Sequence, residues 1–249
     1  MTWPGELLPT LVGVLALVVL TTVVLSMARV PHRWAPALAI LRGAAQLAAI
    51  SLVLTGVISN PVWVALALVV MFGVAAATAT RRIGWSTRHA ALIAGGMAVG
   101  VVVTLVIVFA TGALELSARY ALAIGGIVIG NAMSIATLAG RRLTEATIDR
   151  WDEVEGWMAL GATPRQSTID IARNAIFSAL IPSTDQTKTT GLVTLPGAFV
   201  GAIFGGVSPL EAGRFQIVVL ASIMAAGSIT AVLLVRWLAP VTRRPVPLR

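Results

Sequence analysis

Long apolar runs alternate with short polar connections along nearly the whole chain of 249 residues. A helix of about 20 predominantly apolar residues crosses the hydrocarbon core of a bilayer, and seven of the runs meet or approach that length. They lie near residues 7–27, 37–58, 61–79, 90–111, 119–139, 189–206 and 214–238. The pattern predicts an all-α, polytopic integral membrane protein with about seven transmembrane helices, in which residues 1–249 form a single transmembrane domain.

The composition supports a multi-pass protein of the cell membrane. Hydrophobic residues make up 57% of the chain and charged residues 11%, which is more apolar surface than one soluble core of this size buries. Cysteine is absent, so the chain offers neither disulfides nor thiolate metal ligands.

The basic residues indicate the orientation of the chain. Cytoplasmic connections of membrane proteins are enriched in Lys and Arg, and sixteen of the eighteen basic residues fall on one side of the predicted spans. Arg119 and Arg214 fall on the other side. This distribution predicts an outside N-terminus and a cytoplasmic C-terminus. It also accounts for the net charge of +8, so we expect membrane lipid, and no nucleic acid, beside these residues.

Small residues recur four apart inside several predicted spans. Apolar side chains gain little by leaving lipid for another apolar surface, so close backbone approach at such positions is what lets membrane helices pack. We expect these contacts within one chain, with a subunit interface as the alternative. The positions are Gly96 and Gly100, Gly126 and Gly130, and Gly197, Gly201 and Gly205.

The longest polar connection runs from about residue 140 to 188 and is predicted to be cytoplasmic. Its first part has apolar residues every three or four positions with carboxylates between them, which is typical of an amphipathic helix. The apolar positions are Ile148, Trp151, Val154 and Met158, and the acidic ones are Asp149, Asp152, Glu153 and Glu155.

A sharp bend is predicted directly after this helix. Gly161 suits a helix end, Thr163 suits an N-cap, and Pro164 suits the first position of a new helix. Gln166 stands three residues beyond Thr163, as a capping box requires. From these residues alone, the segment is either a docking element or an interfacial helix that only connects two spans.

The run EGWMALGATP, from Glu155 to Pro164, resembles the cytoplasmic coupling motif of ATP-binding-cassette (ABC) permeases. In that motif an acidic residue, two small positions, three further residues and a glycine form a short helix that docks on the ATPase. Trp157 stands where the motif usually has a small residue. The resemblance implies these ATPase-coupling residues: Glu155, Gly156, Trp157, Gly161, Ala162, Thr163 and Pro164.

Four longer runs are similar to the FetB-type permease family, which includes bacterial iron-export permeases and plant aluminium-tolerance permeases. They are GNAMSIATLAGRR from Gly130, ALGATPRQS from Ala159, ALIPSTDQTKTTGLVTLPG from Ala179 and SPLEAGRFQIVV from Ser208. The resemblance implies the permease subunit of an ABC transporter, exporting a metal ion such as iron or a related small solute. A separate ATPase would drive it by docking on residues 145–166.

The sequence agrees with a separate ATPase. It contains no G-x-x-x-x-G-K-[ST] phosphate-binding loop, and its single lysine, Lys188, follows a threonine. We therefore expect a transport subunit and no enzyme, with no cofactor on this chain and ATP used by the partner. An ATPase dimer needs two docking sites and one chain offers one, so a homodimer is expected.

Two other classes fit less well. A stand-alone carrier driven by an ion gradient is the alternative, and it should show carboxylates at depth, where Asp185 is the one candidate. An intramembrane enzyme would need a nucleophile and base or metal ligands at depth. Neither His32 nor His89 lies in a predicted span, and no H-E-x-x-H occurs.

Polar residues inside or beside the spans are candidates for the translocation pathway, because an ionisable side chain at membrane depth is costly. Arg42 and Gln46 lie four apart on one helix face, although Arg42 could extend to the inner boundary. Asn131, in the fifth predicted span, is either a ligand or part of an interhelical hydrogen bond.

Asp185 and Lys188 complete this set of candidates. If their run is helical, its spacing puts both charges on one face, where each offsets the desolvation of the other. The run is then an inner vestibule; the alternative is a solvated loop leading to the sixth predicted span. Metal ligands stay unknown, since the predicted spans offer mainly methionines and the amide of Asn131.

Overall fold

The computed structural model describes residues 4–57, 60–84 and 86–247. Within these residues the secondary structure is α-helical apart from one isolated bridge between Thr190 and Thr194, which confirms the predicted all-α class. The chain forms two compact units, residues 1–59 and residues 60–249. The last position of the second predicted span, Ile58, and the basic residue Arg249 lie outside the described residues.

The first unit contains two helices, α1 (Pro4–Met27) and α2 (Ala35–Val57). In the turn between them Arg29 and His32 adopt positive φ angles of 52° and 57°. Much of α1 exposes leucine and valine, including Leu8 and Leu15, as expected of a helix in lipid.

The second unit contains eight helices within the described residues. They are α3 (Pro61–Ile83), α4 (Thr87–Ala110), α5 (Ala118–Asp149), α6 (Trp151–Ala159), α7 (Pro164–Ser167), α8 (Ile169–Thr189), α9 (Gly197–Phe204) and α10 (Pro209–Leu238). Five described helices are long and apolar enough to cross a membrane: α1, α3, α4, α5 and α10. The predicted integral membrane protein is confirmed, whereas a count of seven spans is not.

Local sequence sets where the long helices of the second unit begin. Asn60 Oδ1 accepts from the backbone N–H of Val62 at 2.9 Å, and Ser86 Oγ accepts from that of His89 at 3.0 Å. Each cap satisfies a backbone donor that the first turn of a helix leaves free. Ser117 and Ser208 cap α5 and α10 in the same way.

Helix α10 lies at the centre of the second unit and packs on α4 through glycine. A Cβ at Gly100 would lie 2.6 Å from Ala226 O and 2.6 Å from Thr230 Oγ1, so only glycine allows this approach. At Gly96 a Cβ would lie 3.6 Å from Thr230 O. The predicted close contact within one chain is confirmed for this pair of glycines.

The other glycine pairs behave differently. A Cβ at Gly126 would lie 3.0 Å from Met71 Cε, whereas one at Gly130, Gly197 or Gly201 would have no atom within 4 Å. At Gly205 the nearest atoms belong to its own turn. Close packing within the chain is therefore found at Gly126, and the expectation is wrong for Gly130, Gly197, Gly201 and Gly205.

The helix directions follow from the contacts. Gly125 and Gly140 of α5 meet Leu68 and Ile83 of α3, so these two helices run parallel. Gly96 meets Leu234 while Gly100 meets Ala226, so α4 and α10 are antiparallel. One end of the unit thus collects basic side chains, and we call it the arginine-rich end; its residues are Arg81, Arg82, Arg88, Arg141 and Arg142.

The sixth predicted span, residues 189–206, is wrong. Helix α8 ends at Thr189, and α9 has only eight residues, or about 12 Å of helix. The helix that runs beside α10 is α8, inside the segment predicted to be cytoplasmic. Its Ser, Thr, Asp, Gln and Lys residues lower the hydropathy of a helix that packs in the bundle, while the following turn is apolar at Leu192 and Val193.

Substitution of Gly100 by Ala tests the α4–α10 contact. Because the nearest atoms include a backbone carbonyl, we expect Gly100→Ala to lower the stability of the purified protein by about 1–3 kcal/mol. Gly130→Ala is the matched control and should be neutral or slightly stabilising. Thermal unfolding in detergent measures both, and equal effects of the two substitutions would contradict the packing described here.

Candidate functional site

The segment from Trp151 to Ser167, which we call the elbow, is a short helix, a bend and one further helical turn. Helix α6 ends in a Schellman motif: Gly161 N–H donates to Met158 O and Ala162 N–H donates to Trp157 O, both at 3.0 Å. Gly161 has a φ of +92°, a conformation that L side chains adopt at a cost of roughly 1–2 kcal/mol. The predicted helix stop at Gly161 is confirmed.

The predicted capping box is also present. Thr163 Oγ1 accepts from Gln166 N–H at 3.3 Å, and Thr163 N–H donates to Gln166 Oε1 at 2.9 Å. Pro164 occupies the first position of α7. The bend is thus defined on both sides by local hydrogen bonds.

The elbow is anchored to the bundle by its apolar side. Val154 is fully buried, together with Leu143 of α5, Ile171 of α8 and Val235 of α10, and Trp151 and Met158 pack against the same cluster. The amphipathic prediction is confirmed with one correction. Ile148 belongs to the last turn of α5, and the helix is interrupted at Arg150 before α6 begins. The segment predicted as one amphipathic helix is therefore divided between two helices.

The opposite side of the elbow exposes apolar surface. Leu160 is 82% exposed and Trp157 is 53% exposed, beside the exposed carboxylate Glu155. A cleft of about 480 Å³ runs along this surface, lined in part by Glu153, Trp157, Leu160, Gly161, Gln166 and Asp170. Apolar side chains exposed in a group and bordered by charge are typical of surfaces that bind another protein.

Helix α8 starts directly after the elbow and runs antiparallel to α10. Thr168 Oγ1 donates to Ala239 O at 2.9 Å, and Leu180 Cδ2 lies 3.7 Å from the Cβ position of Gly227. Thr190 shares a cavity with Gly213, Gln216, Ile217 and Leu220 of α10. The same register along the whole contact places Asp185 and Lys188 level with residues 219–222, near the middle of α10.

Asp185 and Lys188 pair with each other. Lys188 Nζ lies 3.4 Å from Asp185 Oδ1, and the two side chains are 70% and 61% exposed. The prediction that a helical run puts both charges on one face is confirmed, and the alternative of a solvated loop is wrong. The pair lies in the half of α8 away from the arginine-rich end.

Hydroxyls beside this pair bond to their own helix. Thr187 Oγ1 donates to Ser183 O at 2.8 Å, and Thr190 Oγ1 donates to Gln186 O at 2.7 Å. Such bonds satisfy Thr side chains inside a helix without any partner helix. Polar surface on this part of α8 is therefore concentrated at Asp185, Gln186 and Lys188, which are all exposed.

The remaining pathway candidates belong to other helices. Asn131 is half-buried, and its Nδ2 donates to Ile127 O at 2.9 Å, so this amide bonds to its own helix and not to a neighbouring one. Arg42 and Gln46 are exposed on α2 in the first unit. Among the described residues no group of three or more His, Cys, Asp or Glu could hold a metal ion.

Two buried polar groups were missed by the sequence analysis. Gln216 Oε1 and Thr104 Oγ1 are buried without a hydrogen-bond partner among the described residues, which costs about 1–3 kcal/mol for each group. Gln216 borders a cavity of about 250 Å³ with Thr190, and Thr104 borders one of about 260 Å³ with Ser222. For Gln216, the sequence signal that could have revealed it was a single glutamine inside an apolar helix.

Comparison with known proteins identifies the family. The profile of UPF0014, described as Uncharacterised protein family (UPF0014), matches residues 8–241. The chain belongs to the UPF0014 family. No solved structure matches the chain.

Named relatives of this UPF0014 protein include plant and bacterial proteins. UPF0014 membrane protein STAR2 of Oryza sativa subsp. japonica is 36% identical over 197 residues, or 78% of this chain and 69% of STAR2. Protein ALUMINUM SENSITIVE 3 of Arabidopsis thaliana is 34% identical over 173 residues, which are 70% of this chain and 63% of that protein. Probable iron export permease protein FetB of Escherichia coli K12 is 34% identical over 135 residues, which are 54% of this chain and 52% of that protein. The predicted FetB-type resemblance and multi-pass membrane localisation are confirmed.

The helix stop at Gly161 is testable by a pair of alanine substitutions. Gly161→Ala should lower stability by roughly 1–2 kcal/mol, because alanine resists the positive φ. Gly156→Ala is the control: Gly156 is inside α6 with no atom within 4 Å of a Cβ, so alanine should stabilise the helix. Thermal unfolding and limited proteolysis at the elbow measure both; shifts of the same sign would argue against the bend.

Proposed function

We propose that this UPF0014 protein is the membrane-spanning permease subunit of an ABC transporter. A separate ATPase docks on the elbow and supplies the energy of ATP hydrolysis, and two copies of the chain form the transport unit. The observation on which this proposal mainly rests is the elbow, which exposes Trp157 and Leu160 to a partner while Val154 is buried in the bundle. The resemblance of residues 155–164 to a coupling motif supports the same role.

The elbow is suited to transmit force. Val154 touches a buried cluster shared by α5, α8 and α10, and Ser167 is followed at once by Thr168 and α8. Because packed interiors transmit displacement with little compression, a pull on α6 and α7 would move α8 and the end of α10 together. Closure of two ATPases on ATP would then change which side of the membrane the pathway opens to.

The cargo in this proposal is a metal ion such as iron, or a related small solute, and the direction is export. The name of the Escherichia coli relative, Probable iron export permease protein FetB, supports this assignment. The absence of a phosphate-binding loop from the sequence supports an ATPase on another chain.

Asp185 and Lys188 are the leading pathway residues, with Asn131, Arg42 and Gln46 as further candidates. An ionisable side chain at the centre of a membrane helix costs about 2.5–3.5 kcal/mol on insertion scales. Two exposed charges level with the middle of α10 therefore need water or protein, and not lipid, around them. A water-filled pathway would supply this environment.

A carrier driven by an ion gradient is the second candidate function. The position of Asp185 favours it, since carboxylates at mid-depth serve as ion or proton sites in such carriers. Dependence of transport on an ATP-hydrolysing partner distinguishes the two functions.

The docking role of the elbow is tested by co-purification from native membranes in mild detergent. We expect an ATPase subunit to purify with the wild-type chain and ATP to be hydrolysed by the complex. Glu155→Lys and Gly161→Trp should abolish this association while the chain stays membrane-inserted, because both alter the exposed elbow surface. Leu160→Asp should do the same, whereas Leu192→Asp, at a 92% exposed position between α8 and α9, is the control. Normal ATPase binding by the elbow variants would refute the proposal.

The pathway role of Asp185 is tested by neutralising its charge. Asp185→Asn should reduce metal efflux from cells, since it leaves Lys188 unpaired in the pathway, while ATPase association stays intact. Glu115→Gln is the control, because Glu115 is an exposed carboxylate in the connection between α4 and α5, outside both the elbow and α8. Unchanged efflux in Asp185→Asn would remove this residue from the pathway.

A further inference from the structure

One exposed stripe on α8 has no partner helix within the described part of the second unit. Phe177 is 69% exposed and Ile181 is 40% exposed, and the stripe continues through Asp185 to Lys188. The spacings of four, four and three residues keep these four side chains on one helix face. The sum of these spacings is the 11-residue repeat by which two helices can keep side chains along a shared seam.

The depth of Asp185 and Lys188, the charged half of this stripe, excludes lipid as its neighbour. Leu180 is level with Gly227, and the register places Asp185 and Lys188 between Arg214 and Arg236 of α10. These two arginines bracket the apolar part of a helix long enough to cross the membrane. Lipid tails offer no hydrogen bonds to a carboxylate or an ammonium group, so the charged half of the stripe requires protein or water.

The charges of the stripe complement a second copy of the same stripe. A two-fold axis along the membrane normal brings identical faces together with both α8 helices running in the same direction. Asp185 of one copy then lies near Lys188 of the other, with an offset of three residues or about 4.5 Å along the helix. Two aspartates and two lysines alternate in sign around the axis and sum to zero charge.

We propose that two copies of this chain face each other along α8, with Phe177 and Ile181 in apolar layers and Asp185 and Lys188 in a closed ring of four alternating charges. This inference rests on the homodimeric permease proposed above and specifies its interface. The ring lies level with the middle of α10 and closes the path along the two-fold axis. Since the elbow leads directly into α8, movement of the elbow separates the two α8 helices and opens the ring.

The absence of cysteine from the sequence makes this interface testable by disulfide cross-linking. Single variants Ile181→Cys and Phe177→Cys, oxidised in native membranes, should each give a covalent dimer. Val102→Cys on α4 and Val69→Cys on α3 are controls, since these side chains are 57% and 67% exposed on other helices. Failure of both α8 variants to cross-link, or equally fast cross-linking of the controls, would overturn the proposal.

A mixture of charge variants distinguishes Asp185–Lys188 pairs between two copies from the same pair within one chain. Each tagged chain has Ile181→Cys and either Asp185→Lys, which leaves two positive charges, or Lys188→Asp, which leaves two negative charges. Neither variant can pair within itself, so we expect cross-linking of each alone to fall. The co-expressed mixture should give the hetero-dimer well above the level of either variant alone, because the pairs between copies are restored. A mixture that cross-links no better than either variant alone would overturn the ring.

The same membranes distinguish failure of the interface from failure of the proposed function. ATPase association depends on the elbow, and the cross-link depends on α8. Loss of the cross-link with normal ATPase association rejects the interface and keeps the permease proposal. A normal cross-link without any ATPase partner supports the interface and rejects the ABC permease.

Discussion

The antiparallel contact between α8 and α10 is the interaction on which the rest of the structure depends. Ala175 and Ala179 of α8 and Ala231 of α10 belong to one buried cluster, and their small side chains allow the two helices to lie close together. The buried hydrogen bond from Thr168 to Ala239 fixes the register at one end. A slip of one turn would move Asp185 by about 5.4 Å relative to α10. The elbow and the charged pair are therefore positioned by the same contact.

The polar half of α8 is compatible with a membrane bundle because little of its polarity is left unsatisfied. Thr187, Thr189 and Thr190 bond to carbonyls one turn earlier, and the two charges pair with each other. What remains is a narrow polar stripe, and its cost is offset only if it faces water or a matching surface. The proposed transport pathway would provide the water, and the proposed homodimer interface would provide the matching surface.

The features that could be predicted from the sequence are those set by local interactions. Gly161, Thr163 and Gln166 define the elbow through bonds between residues three to five apart, so their spacing alone was sufficient. The sixth span was mispredicted because hydropathy depends only on composition. In α8, packing against the bundle and hydroxyl bonds to the helix backbone offset the cost of burying polar residues, and hydropathy does not detect either effect. Gln216 and Thr104 were missed because the absence of a partner depends on which helices surround them. The level of Asp185 also depends on a contact between residues far apart in the chain.

In the proposed transport cycle, the elbow and the α8 stripe move as one body under the control of ATP. The most direct measurement is the distance between spin labels on Phe177→Cys in the two copies, recorded for the reconstituted complex with its ATPase, without nucleotide and trapped with ATP. We expect a short distance in one state and a clear increase in the other, and no such change for Gly161→Trp, which should not bind the ATPase. An identical distance with and without ATP would contradict it.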